Sequence, residues 1–189
     1  MNRKKFLTAT TGGLSGLLFA PSILHAGTTA ALSHPATEFL PDPFLMPTLR
    51  PDPEPYKLEL VKEFVIAGHG NLSKVQSMLK DYPNLLFSKF DWGSGDFEAG
   101  IEGAGHVGNK EIAQFLIDAG SRVTLFVLAM LGRTELVRPV LEAYPKLIFA
   151  NGPHGFTLLH HAKAGGKEGE ELYAYLQDKG LKEDWVKIK

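Results

Sequence analysis

The chain has 189 residues, of which 44% are apolar and 22% charged, with 20 Gly, 12 Pro and no Cys. That length favours one domain with an appendage and is enough for a self-sufficient core, while the absence of Cys excludes disulfides, thiolate-ligated zinc, Fe–S clusters and thiol catalysis. Twenty basic against twenty-one acidic residues, a net charge of −1, offer no basic footprint for nucleic acid.

Residues 1–26 read as an export signal peptide. Arg3, Lys4 and Lys5 form a basic head, Phe6 to Leu24 runs apolar and uncharged, and Ala26 closes the stretch with a small residue. The run is broken by Thr and Gly and is too weakly apolar for a spanning helix. Arg3-Lys4-Lys5-Phe6-Leu7 resembles a twin-arginine export motif with Lys4 in place of the second Arg, and a general secretory route gives a similar pattern. A periplasmic location is expected, with no membrane insertion once the signal is removed. Loss of Arg3, Lys4 and Lys5 would leave 17 basic against 21 acidic residues, a net charge of −4. Residues 27–55 carry seven prolines, Pro35, Pro41, Pro43, Pro47, Pro51, Pro53 and Pro55, which forbid a helix or interior strand and predict an extended spacer.

Residues 56–181 predict an all-α domain of about four helix–turn–helix units, followed by a short tail at 182–189. In the first unit Leu60, Val61, Phe64 and Val65 mark one amphipathic face, and Val75, Met78, Leu79 and Tyr82 the next, with a turn at Gly68-His69-Gly70-Asn71 between. The second unit predicts a helix over about Phe97 to Gly105, a turn at His106 to Asn109, then a helix bearing Ile112, Phe115 and Leu116, with Asn109 as N-cap and Gly120 beyond the C-terminus. In the third, Leu125 to Leu131 is apolar all round and predicts deep burial. There Thr134 suits an N-cap, and Pro139 predicts a kink or a later helix start. The fourth runs from Thr157 to Ala164, turns at Gly165-Gly166, and continues through Leu172, Tyr173, Tyr175 and Leu176.

The turn glycines Gly70, Gly108, Gly132 and Gly165 are spaced 38, 24 and 33 residues apart, around the 33-residue period of ankyrin arrays. Gly155-Phe156-Thr157-Leu158-Leu159-His160-His161-Ala162 resembles the ankyrin signature, with Leu158 where the family has proline. The resemblance spans about Tyr56 to Gly180 and is that of a divergent bacterial ankyrin-repeat subfamily with a twin-arginine-like signal. It implies a curved helical stack that binds other proteins and has no common chemistry. Gly155, Thr157, Leu159, His160, Ala162 and Gly165 become structural signature positions, with His160 bracing the turn and His161 at the variable position on the concave face.

Function is expected to be protein–protein interaction, without catalysis or cofactor. The candidate partner surface is the long aromatic stretch around Phe90, Asp91, Trp92, Asp96 and Phe97, with His161; its aromatics either bind or pack inward, and the partner itself is unidentified. No His-x-x-x-His or His-Glu-x-x-His spacing occurs among the seven histidines, so no metal ligands are assigned. The alternative is a periplasmic small-molecule- or metal-binding protein using His and acidic residues.

Overall fold

A computed structural model describes residues 53–188. The expected signal peptide and all but the last three residues of the expected spacer lie outside them. The described chain is mostly helical, with eight α-helices and one two-stranded sheet. In order these are α1 (Leu58–Gly68), α2 (Leu72–Asp81), β1 (Lys89–Asp91), β2 (Phe97–Ala99), α3 (Gly100–His106), α4 (Lys110–Asp118), α5 (Leu125–Met130), α6 (Thr134–Ala143), α7 (Leu158–Ala164) and α8 (Glu170–Asp178). Short 3₁₀ turns at Pro83–Phe87, Pro145–Phe149, Pro153–Gly155 and Gly166–Gly169 fill the connections. Among the described residues no helix is long and apolar enough to cross a membrane.

Each odd-numbered helix pairs with the helix that follows it, and α1, α3, α5 and α7 lie against one another in chain order. The core follows those contacts. Phe64, Val65, Ile101, Ala104, Ile112, Leu116 and Met130 fill one end, and Leu141, Leu158, Leu159, Leu172 and Leu176 the other. Side-chain caps fix several starts: Asn71 Oδ1 accepts the Lys74 N–H at 3.0 Å, and Asn109 Oδ1 accepts that of Ile112 at 3.0 Å. Gly68 lets α1 meet α3, because a Cβ there would collide with the Gly100 carbonyl.

Four expectations need correction. The domain is not purely α: residues 97–99, expected to open a helix, pair with residues 89–91 in the register Lys89↔Ala99, Phe90↔Glu98, Asp91↔Phe97. The helix starts only at Gly100, where the Glu102 carboxylate accepts the Ala99 N–H at 2.9 Å. The segment 125–131 is less deeply buried than its composition implies: Val127, Ala129 and Met130 are buried, whereas Leu125, Phe126, Leu128 and Leu131 are only partly covered. Six helical residues cannot all face a single neighbouring layer. Thr134 is the first residue of α6 rather than its cap; Arg133 precedes it, and the Thr134 hydroxyl is buried without a partner. Pro139 neither delays nor ends α6; it and Glu135, whose carbonyl loses its helical donor, both lie on the exposed side.

Residues 183–186 lie along the start of the α7 segment. Thr157 Oγ1 donates to the Glu183 carbonyl at 2.6 Å, the Thr157 N–H to that of Asp184 at 3.1 Å, and the Val186 N–H to that of Gly155 at 2.9 Å.

Candidate metal centre

The sheet exists to bury one carboxylate. Between β1 and β2 the chain reverses through Trp92 to Asp96, where Asp91 Oδ1 accepts the N–H groups of Gly93 and Gly95 at 2.8 and 3.2 Å. Gly93, Ser94 and Gly95 all carry positive φ. Strand alternation then sends Phe97 outward, 53% exposed, and Glu98 inward, fully buried.

Three imidazoles converge on Glu98 from three parts of the chain. His69 follows the last residue of α1, and its ring fits because position 103 is glycine: a Cβ there would lie 2.7 Å from His69 Cε1. His106 is the last residue of α3. His154 comes from the 3₁₀ turn before α7 and has φ +59°, a left-handed conformation that costs a non-glycine residue of order 1 kcal/mol or more. Asp96 holds it there, accepting the His154 backbone N–H and facing its Nδ1, both at 2.8 Å. The indole of Trp185 donates to the His154 carbonyl at 2.6 Å.

Glu98 Oε1 lies 2.9 Å from His106 Nε2 and 3.4 Å from His69 Nε2, and Oε2 lies 3.3 Å from His154 Nε2. His69 and His106 bring their Nε2 atoms within 2.9 Å of each other. Ligands bound at 2.0–2.1 Å around a tetrahedral ion stand about 3.3 Å apart; the 3.3 and 3.4 Å separations match that spacing, the two of 2.9 Å are hydrogen-bond distances, and all four residues offer a ligand atom within 4.8 Å of the others.

Tautomers expose a surplus of acceptors. His69 Nδ1 is 3.0 Å from the Val65 carbonyl, which can only accept, so Nδ1 carries a hydrogen and, in the neutral ring, Nε2 is left with the lone pair. The Asp96 carboxylate imposes the same tautomer on His154. In their neutral forms both rings therefore turn a lone pair toward a carboxylate that already accepts the Trp92 indole N–H at 2.8 Å, and in their protonated forms they donate to it. Either a proton or a metal cation relieves that opposition, and backbone or carboxylate support of Nδ1 is the usual way a ligating imidazole is oriented. The protonation equilibria follow: burial would raise the Glu98 pKa, but hydrogen bonds from His106 and His69 outweigh it and hold the carboxyl down to about 2. The same bond to Glu98 outweighs desolvation at His69 and raises its pKa above the ordinary histidine value.

The residues assigned to a partner surface divide. Asp91 closes the turn and Asp96 supports His154. Trp92, 36% exposed, is tied to Glu98 and packs edge-on against Phe90 and His154 at 4.9 and 5.7 Å between centroids. Phe90 is half-buried, and Phe97 is the most exposed of the three aromatics. His161 does not face a concave surface: it is fully buried, its Nδ1 donating to the Thr157 carbonyl at 2.8 Å. His160 Nε2 donates to the His106 carbonyl at 2.8 Å, Thr157 Oγ1 caps α7, and Leu159 and Ala162 are buried. Gly155, at φ +79°, leaves no room for a Cβ beside the Val186 carbonyl, nor does Gly165 beside that of Met130.

Within single helices the sequence holds no metal-ligand spacing, so the sequence alone predicts no metal ligands. The signal was the unit spacing itself: His69 and His106 each stand just ahead of a Gly-Asn turn, 37 residues apart, so packing of α1 on α3 brings them together. No protein-family model and no curated protein matches the chain.

Proposed function

We propose that this is an exported helical-repeat protein of ankyrin type whose function is to bind one divalent first-row transition-metal ion through His69, Glu98, His106 and His154. The observation that carries it is the convergence of three imidazoles on one buried carboxylate, with ligand atoms of His69, Glu98, His106 and His154 all within 4.8 Å of one another and the Nδ1 atoms of His69 and His154 held from the far side by the Val65 carbonyl and Asp96. Three imidazoles and a carboxylate suit zinc, iron, nickel or copper better than calcium or magnesium. The four helix pairs and the Gly155–Ala162 motif support the ankyrin-type assignment, and the basic head and Ala26 support export to the periplasm. Calorimetric titration of metal-stripped protein tests the binding: uptake of one ion per chain, lost in His154→Ala, is the expected result. Uptake that survives His154→Ala and Glu98→Gln would refute it.

Protein binding is a second role, favoured by the outward side chain of Phe97 at a groove of about 570 Å³ that Phe126 and Val186 also line. Capture from periplasmic extract, reduced in Phe97→Ser without loss of stability, is the expected result there. Equal capture by both chains would reject that role.

A further inference from the structure

The metal centre is not enclosed. Glu98 sits beneath it, fully buried, and the imidazoles of His69 and His154 stand 28% and 29% exposed around it. Above them lies an open cleft of about 240 Å³ lined by Ile66, His69, Trp92 and His154. His69 and His154 thus belong both to the candidate ligand set and to the cleft wall, so a further ligand in the cleft would approach the ion between them. Zinc sometimes expands from four to five ligands when a position is open.

Charge and shape define what enters. Glu98 and Asp96 together balance a divalent ion. Lys62, one turn before Ile66 on α1, adds a positive charge beside the cleft, its Nζ 5.5 Å from the ring centres of Phe90 and of the wall residue Trp92. Lys62 makes no ion pair among the described residues. The cleft walls between Lys62 and the ion are the half-exposed Ile66 and the face of Trp92. The volume is below the roughly 300 Å³ at which drug-sized sites begin, so the occupant is small.

Resting on the metal-binding function above, we propose that the bound ion takes a small carboxylate as an exogenous ligand from this cleft, its charge directed to the metal and Lys62 and its short apolar body lying between Ile66 and Trp92. Cobalt(II) supplies the probe, because its visible bands report coordination number without any assumed activity. The full chain is loaded with cobalt(II) and titrated with acetate, butyrate and azide. All three are expected to change the bands saturably, with butyrate binding about threefold or more tighter than acetate, the effect of partly burying two extra methylenes. Lys62→Glu is expected to weaken both carboxylates by about threefold or more, a screened charge effect at the rim, while cobalt(II) affinity is retained. Ile66→Trp, which fills the cleft from an exposed position, is expected to abolish the response and keep the metal.

Each failure reads differently. No cobalt(II) uptake by the native chain would overturn the metal site itself. Uptake with bands indifferent to every anion would leave the site standing and overturn the open position. An azide response without a butyrate preference over acetate, or a response that persists in Ile66→Trp, would overturn the carboxylate cleft.

Discussion

Two groups of histidines lie close together in this fold and are treated in opposite ways. His69, His106 and His154 turn their Nε2 atoms toward a buried carboxylate. His160 and His161, adjacent on α7, turn theirs away: His160 Nε2 donates to a backbone carbonyl, and the His161 Nε2 is buried without a partner. Phe156 connects the groups, stacking on His106 at 5.1 Å and on His160 at 4.1 Å. An imidazole's role here follows from what faces its second nitrogen, and neither its exposure nor its place in a motif reveals that.

The largest expected difference comes from removing the carboxylate. Glu98→Gln keeps the volume and can still accept the Trp92 N–H, yet it removes the charge that offsets a cation. Metal affinity should fall by more than the roughly 10- to 100-fold typical of losing an outer partner, whereas His160→Gln should leave it unchanged. Titration of the two variants side by side checks this. Equal affinities would erase the distinction between the groups.

His161 should dominate acid sensitivity within its pair. Burial lowers its pKa from 6.5 to about 4, the hydrogen bond to Thr157 opposing only in part. Below pH 6.5 the unfolded chain takes up a proton that the folded chain refuses, so the stability contribution is complete above 6.5 and drains away as pH falls toward 4. At about 1.4 kcal/mol per unit, the whole window is worth about 3 kcal/mol. Denaturant unfolding of the metal-stripped native chain and His161→Leu, at pH 7 and pH 4.5, should show a clearly smaller acid loss in the variant. Subtracting the two cancels the contributions of His69 and Glu98, and identical losses would contradict the burial of a neutral ring.

A smaller effect is expected from Asp96→Asn, which weakens the support of the His154 tautomer without touching a ligand. Affinity should drop by about 10- to 100-fold, with uptake of one ion per chain preserved. The smallest belongs to His160→Gln, where loss of the bond to the His106 carbonyl should cost about 1 kcal/mol in unfolding experiments.

The sequence disclosed the helices well because each carried its own signals: apolar faces at helical spacing, Asn71 and Asn109 before a first turn, Gly120 and Gly180 after a last one. It disclosed the β-ribbon poorly. Phe97-Glu98-Ala99 resembles the start of α3, and three residues are too few to show alternation, although Asp91, Gly93 and Gly95 already marked a tight reversal. Trp92 was legible as important but not in which direction it faces, because its indole is claimed by a carboxylate six residues away across a turn. The candidate metal centre was least legible. Its ligands belong to four separate segments, and only the packing of α1 on α3 and of the Pro153–Gly155 turn against Asp96 makes them neighbours. The same limit explains His161, whose motif position suggested a surface while its contacts put it in the interior.

The most direct measurement is the metal content of the folded native chain after exposure to equimolar zinc and exhaustive dialysis, determined by elemental analysis beside Glu98→Gln. One ion per native chain and none in the variant is the predicted result. A native chain that retains no more metal than Glu98→Gln would contradict it.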